Sequence, residues 1–191
     1  MRRPVLALVA VVASLVLLAV VRAPAAHAPP PITLRTLYGM KPIASFDAAR
    51  TALVLVDFQE ELLRGPIRVD GGDAAVHQAR VLLDWARTNG VHVVHVRNVV
   101  PRADSPVFAP GSPLLAFTRE LEPASGEAVV TKPMAGGFSR SDLDAALRTR
   151  GVDTVVVAGI MTHLAVDTTA REGTVLGYRV ARAIAARPVR R

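Results

Sequence analysis

The chain has 191 residues, 51% of them hydrophobic and 20% charged, which suits one domain with a sizeable core and excludes disordered and collagen-like chains. It contains no cysteine, so disulfide scaffolds, thiolate metal sites and a thiol nucleophile are excluded. Its formal charge of +7, from 23 basic and 16 acidic residues, gathers at the ends, in Arg2, Arg3 and Arg22 and in Arg182, Arg187, Arg190 and Arg191; the body between shows no basic stripe interleaved with aromatics, and no nucleic-acid partner is expected.

Met1-Arg2-Arg3 is a short positive start, followed by an apolar run from Val5 to Val21 broken only by Ser14. Those 17 residues are short of the roughly 20 a membrane span needs. Small residues follow, with Ala23/Ala25 and Ala26/Ala28 both fitting a small-x-small cleavage pattern. Residues 1–28 therefore read as a signal peptide cleaved after Ala25 or Ala28, the latter disfavoured by Pro29, or else as an uncleaved membrane anchor. Either way the body is expected outside the cytoplasm, periplasmic or secreted, and a membrane is a partner only if the segment stays. Residues 29–50 form a Pro-rich lead-in.

The body alternates strand and helix. Thr51 to Asp57 is a continuous apolar run closed by an acid, the pattern of a strand buried on both faces. Ala75, Ala79, Leu82, Leu83 and Ala86 give helical spacing over 74–89, and Gly90 is a C-terminal stop. A second strand is read over Val91 to Arg97, a loop over 98–113, a short helix over 114–121 and a third strand over Ala128 to Thr131. Ser139 is expected to cap a helix carrying Leu143, Ala146 and Leu147, with Gly151 after it. A fourth strand over Thr154 to Ala158, a helix from about His163 to Leu176 and a fifth strand from Tyr178 complete the pattern. Such alternation implies a doubly wound α/β fold, a parallel sheet with helices on both faces, whose chemistry gathers at the carboxyl ends of the strands.

Three of those ends carry candidate residues. Asp57 reads as a turn or cap acid, or as a functional carboxylate. Lys132 is one of only two lysines in an arginine-rich chain; it is a surface residue or a compact, tunable charge placed for chemistry. Gly136-Gly137 reads as a plain turn or as a close backbone approach to a ligand. His92 and His95, three apart on a strand, point to opposite faces and make no metal pair, and no metal or cofactor is expected. His163 reads as a packed or capping residue, with a base as the alternative.

Leu53-Val-Leu-Val-Asp57-Phe-Gln59, Glu127-Ala-Val-Val-Thr-Lys132, Phe138-Ser-Arg-Ser-Asp-Leu143 and above all Gly151-Val-Asp-Thr-Val-Val-Val-Ala-Gly159-Ile-Met-Thr-His163-Leu-Ala-Val166 together resemble the isochorismatase-like, or cysteine hydrolase, family. The resemblance implies a Rossmann-like hydrolase domain over 51–182, with 183–191 as a basic tail, acting on a small molecule and often forming homo-oligomers. It implies an Asp–Lys–Cys triad in which Asp57 and Lys132 match the first two members. The third position is Ala165, at the first turn of a helix, where a thiol would have its pKa lowered. Thioester chemistry is thus closed to this chain, and Thr162 and Thr168 are the hydroxyls nearby. By the same resemblance Gln59, Phe138 and Thr162 are expected to bind substrate. Where the family continues with an acidic turn and a closing helix, this chain has Arg182 to Arg191, and an uncovered sheet edge favours oligomerisation or instability. Three readings follow: Asp/Lys-based acid–base hydrolysis without a thiol, a catalytically silent pseudoenzyme that binds a small polar ligand, or a structural remnant.

Overall fold

An unbroken apolar strand must be covered on every side, and Thr51–Val56 (β1) is accordingly the middle strand of a five-stranded parallel sheet, with all six residues buried. The computed structural model describes residues 32–33, 37–39 and 42–183. The signal or anchor segment expected over 1–28 and the basic tail from 184 onward lie outside the described residues. Met1–Pro42 and Ile43–Arg191 are separate compact units. In the first, the described backbone holds one turn, closed by the Leu37 N–H on Thr33 O at 2.9 Å. The second contains the sheet.

Its elements after β1 are α1 (Glu60–Leu63), α2 (Gly72–Thr88), β2 (His92–Asn98), β3 (Ala128–Lys132), α3 (Leu143–Thr149), β4 (Thr154–Gly159), α4 (Asp167–Val175) and β5 (Arg179–Arg182). The strand order is β3-β2-β1-β4-β5, all parallel. From β1 the chain first steps one way to β2 and β3, then returns to β4 and β5 on the other side. Right-handed crossovers moving in opposite directions place their connections on opposite faces. Thus Val76, Ala79, Leu83 and Ala86 of α2 cover Leu53, Leu55 and Val93 on one face. Leu143 and Leu147 of α3, with Val166 before α4, cover Val54, Val56, Val155 and Val157 on the other. In sheets of this kind ligands bind at the carboxyl ends of the strands beside such a reversal, here between β1 and β4. No helix among the described residues is long and apolar enough to cross a membrane.

Several local expectations give way to longer-range demands. The helix expected over 114–121 is two 3-10 turns, Pro113–Leu115 and Arg119–Leu121. Between them the backbone is extended and pairs with the chain after β1, through Glu60 N–H to Ala116 O and Thr118 N–H to Phe58 O, both at 2.9 Å. Helix α3 begins at Leu143 rather than after Ser139, because Arg140 holds a positive φ of 53° that no helix accommodates. The Leu143 N–H is met by the Ser141 hydroxyl at 3.3 Å. The helix after β4 opens as a π-helical turn, Thr162–Val166, before becoming α4.

Beneath α2 a charged cluster ties three elements together. Glu127, just before β3, accepts two hydrogen bonds from the Arg87 guanidinium, at 2.8 and 2.9 Å, and the Ala124 N–H at 2.8 Å. Its Oε2 also lies 2.8 Å from His95 Nε2 of β2. Burial alone would raise the Glu127 carboxyl, but these donors outweigh it and hold it at about 2. The stability that Glu127 supplies is complete above its ordinary 4.5 and drains as the pH falls toward about 2. The wild-type urea midpoint should therefore drop between those pH values, and Glu127→Gln should begin lower and fall less steeply. Parallel curves for the two proteins would contradict this.

Candidate active site

Asp57 follows β1 in a left-handed conformation, φ 59°, which among residues with a side chain Asp and Asn tolerate best. Its N–H is bound to Val96 O at 2.8 Å, so the backbone is held while the carboxyl turns inward, 4% exposed. Lys132 closes β3, two strands away, and is fully buried. Neighbouring strands lie about 4.8 Å apart, so only a long side chain bridges the gap. Lys132 Nζ donates to Asp57 Oδ2 at 2.8 Å and to Met134 O at 3.0 Å. Asp57 Oδ1 is buried with no hydrogen-bond partner. Burial pushes the Asp57 carboxyl up to about 6, against Lys132, whose charge and hydrogen bond draw it down.

The third strand end supplies the opposite wall. A cis peptide joins Ile160 and Met161, and the π-helical turn follows. Ala165 is buried there, packed in the same layer as Val56 and Val166. Thr162 and His163 are exposed on the turn. His163 is thus neither packed nor capping, because the wider turn carries it outward. Gly159 sits so close to β1 that an added Cβ would strike Val56 O.

Helix α4 then anchors the turn after Lys132. The Thr169 hydroxyl donates to Ala165 O at 2.6 Å and accepts the Gly137 N–H at 2.8 Å. The Glu172 carboxylate accepts the Phe138 N–H at 3.0 Å and the Ser139 hydroxyl. An added Cβ on Gly136 would strike Glu172, and one on Gly137 would meet Thr169 Cγ2 at 2.8 Å. The glycine pair is therefore a close approach to α4, which fixes the β3 and β4 turns to each other.

The structure brings Asp57 and Lys132 into contact. Gln59 is fully buried, and its carboxamide is committed to backbone. Nε2 donates to Asn98 O and Leu115 O at 3.1 and 3.2 Å, and Oε1 accepts the Asn98 N–H at 2.7 Å. It continues the β1–β2 ladder where β1 has turned away. Phe138 stacks on Tyr178, 5.6 Å between centroids. Two further residues gave no signal in the sequence. Glu61 of α1 is buried and accepts the Phe108 N–H at 3.2 Å. Asn98, at the end of β2, has a buried, unpartnered Oδ1. Among the described residues no group of three His, Asp or Glu is placed to hold a metal ion.

A doubly wound sheet with a buried Asp–Lys pair at its carboxyl edge is the isochorismatase-like scaffold that the sequence resembles. The Isochorismatase domain family matches residues 51–184, and the chain belongs to it. It is 33% identical over 148 residues to the "Secreted isochorismatase effector Isc1" of Verticillium dahliae, covering 78% of this chain and 77% of that one. It is 36% identical over 145 residues to the maleamate amidohydrolase of Pseudomonas putida, covering 68% of each. An isochorismatase crystal structure from Pseudomonas putida superposes with a TM-score of 0.70 at 33% identity, covering 81% of this chain and 78% of that one. This is an isochorismatase-family hydrolase of small molecules.

Two measurements check the geometry. The 13C signal of the Asp57 carboxyl should titrate near 6, and Lys132→Met, which removes the attraction but not the burial, should move it higher; a shift downward would refute the assignment of causes. Gln59→Leu, which orphans Asn98 N–H, Asn98 O and Leu115 O, should lower unfolding stability by about 1–3 kcal/mol in urea titrations.

Proposed function

We propose that this chain is an exported member of the family that works without a thiol, binding a small polar molecule at the carboxyl ends of β1, β3 and β4 and moving a proton through Asp57. The carrying observation is the Asp57 carboxyl itself, with Oδ2 held by Lys132 and Oδ1 buried and free. A carboxyl near 6 sits where a group serves as base and then as acid around neutrality. In a hydrolysis, Oδ1 takes the proton of the attacking water as its oxygen adds to the substrate, and returns that proton to the leaving group. Lys132 steadies the charge that alternates on Asp57. Thr162 stands on the rim as a substrate contact, Gln59 braces the β2 end, and Phe138 seats the turn after Lys132.

Ala165 stands where the family resemblance puts the nucleophile, and its methyl offers none. That observation favours a second reading, in which the same pocket binds its ligand without turning it over. Export is supported by the Arg2-Arg3 start, the apolar run and the small residues after it, and by the secreted relative in Verticillium dahliae. A second copy of the chain is the proposed protein partner, since the outer edges of β3 and β5 are unpaired among the described strands.

Asp57→Asn separates the two functional readings. Screened against small amides, ureides and enol ethers, the wild type should show turnover that Asp57→Asn abolishes while binding persists; binding without wild-type turnover would select the silent reading. Ala165→Cys should create a thiol titrating below the ordinary value of about 8.5, seen as rapid alkylation by iodoacetamide, and should confer turnover of small amides. An inert thiol in a folded protein would count against a retained active-site pocket.

A further inference from the structure

At the amino ends of β2 and β3, the opposite edge of the sheet from Asp57 and Lys132, the two strands are offset. Strand β2 begins at His92, whereas β3 begins at Ala128, the register partner of Val94. His92 and Val93 therefore have no strand beside them on that side. A cavity of about 370 Å3 opens at this corner, a size that suits a small molecule. Val94, Ala146, Leu147 and Val152 give it an apolar wall, and Arg150 and Ser125 bring polar groups to it. Arg87 and Glu127 also line it, but they are committed to each other by two hydrogen bonds, and Glu127 takes the Ala124 N–H as well.

Arg150 is different. Among the described residues its guanidinium has no ion pair and no hydrogen bond, whereas Arg148, two residues earlier, is held by Asp144 and by Leu176 O. An arginine at a helix end often serves the last carbonyls. Helix α3 does not need it for that: the Gly151 N–H binds Arg148 O at 2.9 Å and the Val152 N–H binds Leu147 O at 3.1 Å. Helix α2 ends at the same edge and is closed in the same way, the Val91 N–H binding Ala86 O at 2.9 Å. The Ser125 hydroxyl is likewise without a partner among the described residues. A largely apolar cavity thus carries an unpaired cation at its rim.

We propose that this cavity is a second small-molecule site, remote from Asp57, and that it takes a monocarboxylate with a compact apolar body. The carboxylate lies on the Arg150 guanidinium, whose planar fork offers two parallel N–H donors to such a group. The apolar body lies against Val94, Leu147 and Val152. The charge sets the class. A neutral apolar molecule would take water from the guanidinium and return no acceptor, and a dianion would bring a second charge toward the Glu127 carboxylate. The site stands on residues that the Asp57 pocket does not use, so it holds whichever way that pocket works.

The test titrates the full chain with three probes, followed by NMR: cyclohexanecarboxylate, its neutral near-isostere cyclohexanecarboxamide, and acetate, which has the charge without the ring. In wild type, cyclohexanecarboxylate should shift the amide signals of Ser125, Gly126 and Val152 and bind at least about tenfold more tightly than either of the others. Arg150→Gln should bring the carboxylate-to-carboxamide ratio near one while leaving the urea midpoint unchanged. Ala146→Leu, which extends the apolar wall into the cavity, should weaken cyclohexanecarboxylate and leave acetate as it was. Asp57→Asn should leave all three affinities unchanged. Equal binding of carboxylate and carboxamide by wild type, a ratio kept in Arg150→Gln, or no shift with any probe overturns the proposal. So does a response confined to the strand ends at Asp57 and Lys132, which would place the ligand in the other pocket.

Discussion

A lysine with no exposure must end on an anion, and this fold is arranged so that Lys132 does. Removing an ammonium and a carboxylate from water costs several kcal/mol for each ion, which their attraction offsets only in good geometry. The 2.8 Å contact from Lys132 Nζ to Asp57 Oδ2 supplies that geometry, and Met134 O takes a second proton of the ammonium. The requirement propagates outward. Strand β3 stops at Lys132, β1 turns sharply at Asp57, and β2 between them runs on to Asn98, the register partner of Lys132. The positive φ of Asp57 and the Gln59 carboxamide that prolongs the β1–β2 ladder both serve this contact.

The second constraint comes from α4. A parallel sheet leaves its carboxyl-end turns as separate loops, free to move against one another. Here Thr169 and Glu172 project from α4 into the turn after β3 and hold it by three hydrogen bonds. Thr169 also bonds Ala165 O in the turn after β4. One face of one helix therefore fixes two of the three walls of the site. Gly136 and Gly137 lack side chains because α4 occupies that space.

Much of this was legible because it rests on short-range pattern. The run from Thr51 to Val56 and the 3.6-residue spacing in α2 report burial directly. Lys132 drew notice by its chemistry, a lone lysine at a strand end among arginines. What escaped the sequence depends on partners far along the chain. Residues 116–118 look helical locally but are taken as extended backbone by residues 58–60. Ser139 has the form of a helix cap, yet Glu172 claims its hydroxyl. Gln59 reads as a pocket residue, whereas its amide is spent on Asn98 and Leu115. Asn98 gave no signal because an orphaned atom is defined by what fails to surround it.

The Asp57–Lys132 pair taken alone is a weak argument for chemistry. Breaking a buried pair by removing one partner leaves an uncompensated charge and is destabilising, so a chain that had lost its reaction would still gain stability from keeping both residues. Oδ1 of Asp57 is different. Lys132 satisfies only Oδ2, and nothing in the fold requires the other oxygen to lie buried without a donor. Stability would favour a nearby hydroxyl or N–H, as Glu127 obtains from Arg87, Ala124 and His95 in the same protein. A fold that satisfies one buried carboxylate from several sides and leaves another half-satisfied at the strand ends supports the proposed role of Asp57, which needs an oxygen free to meet something that arrives from solution.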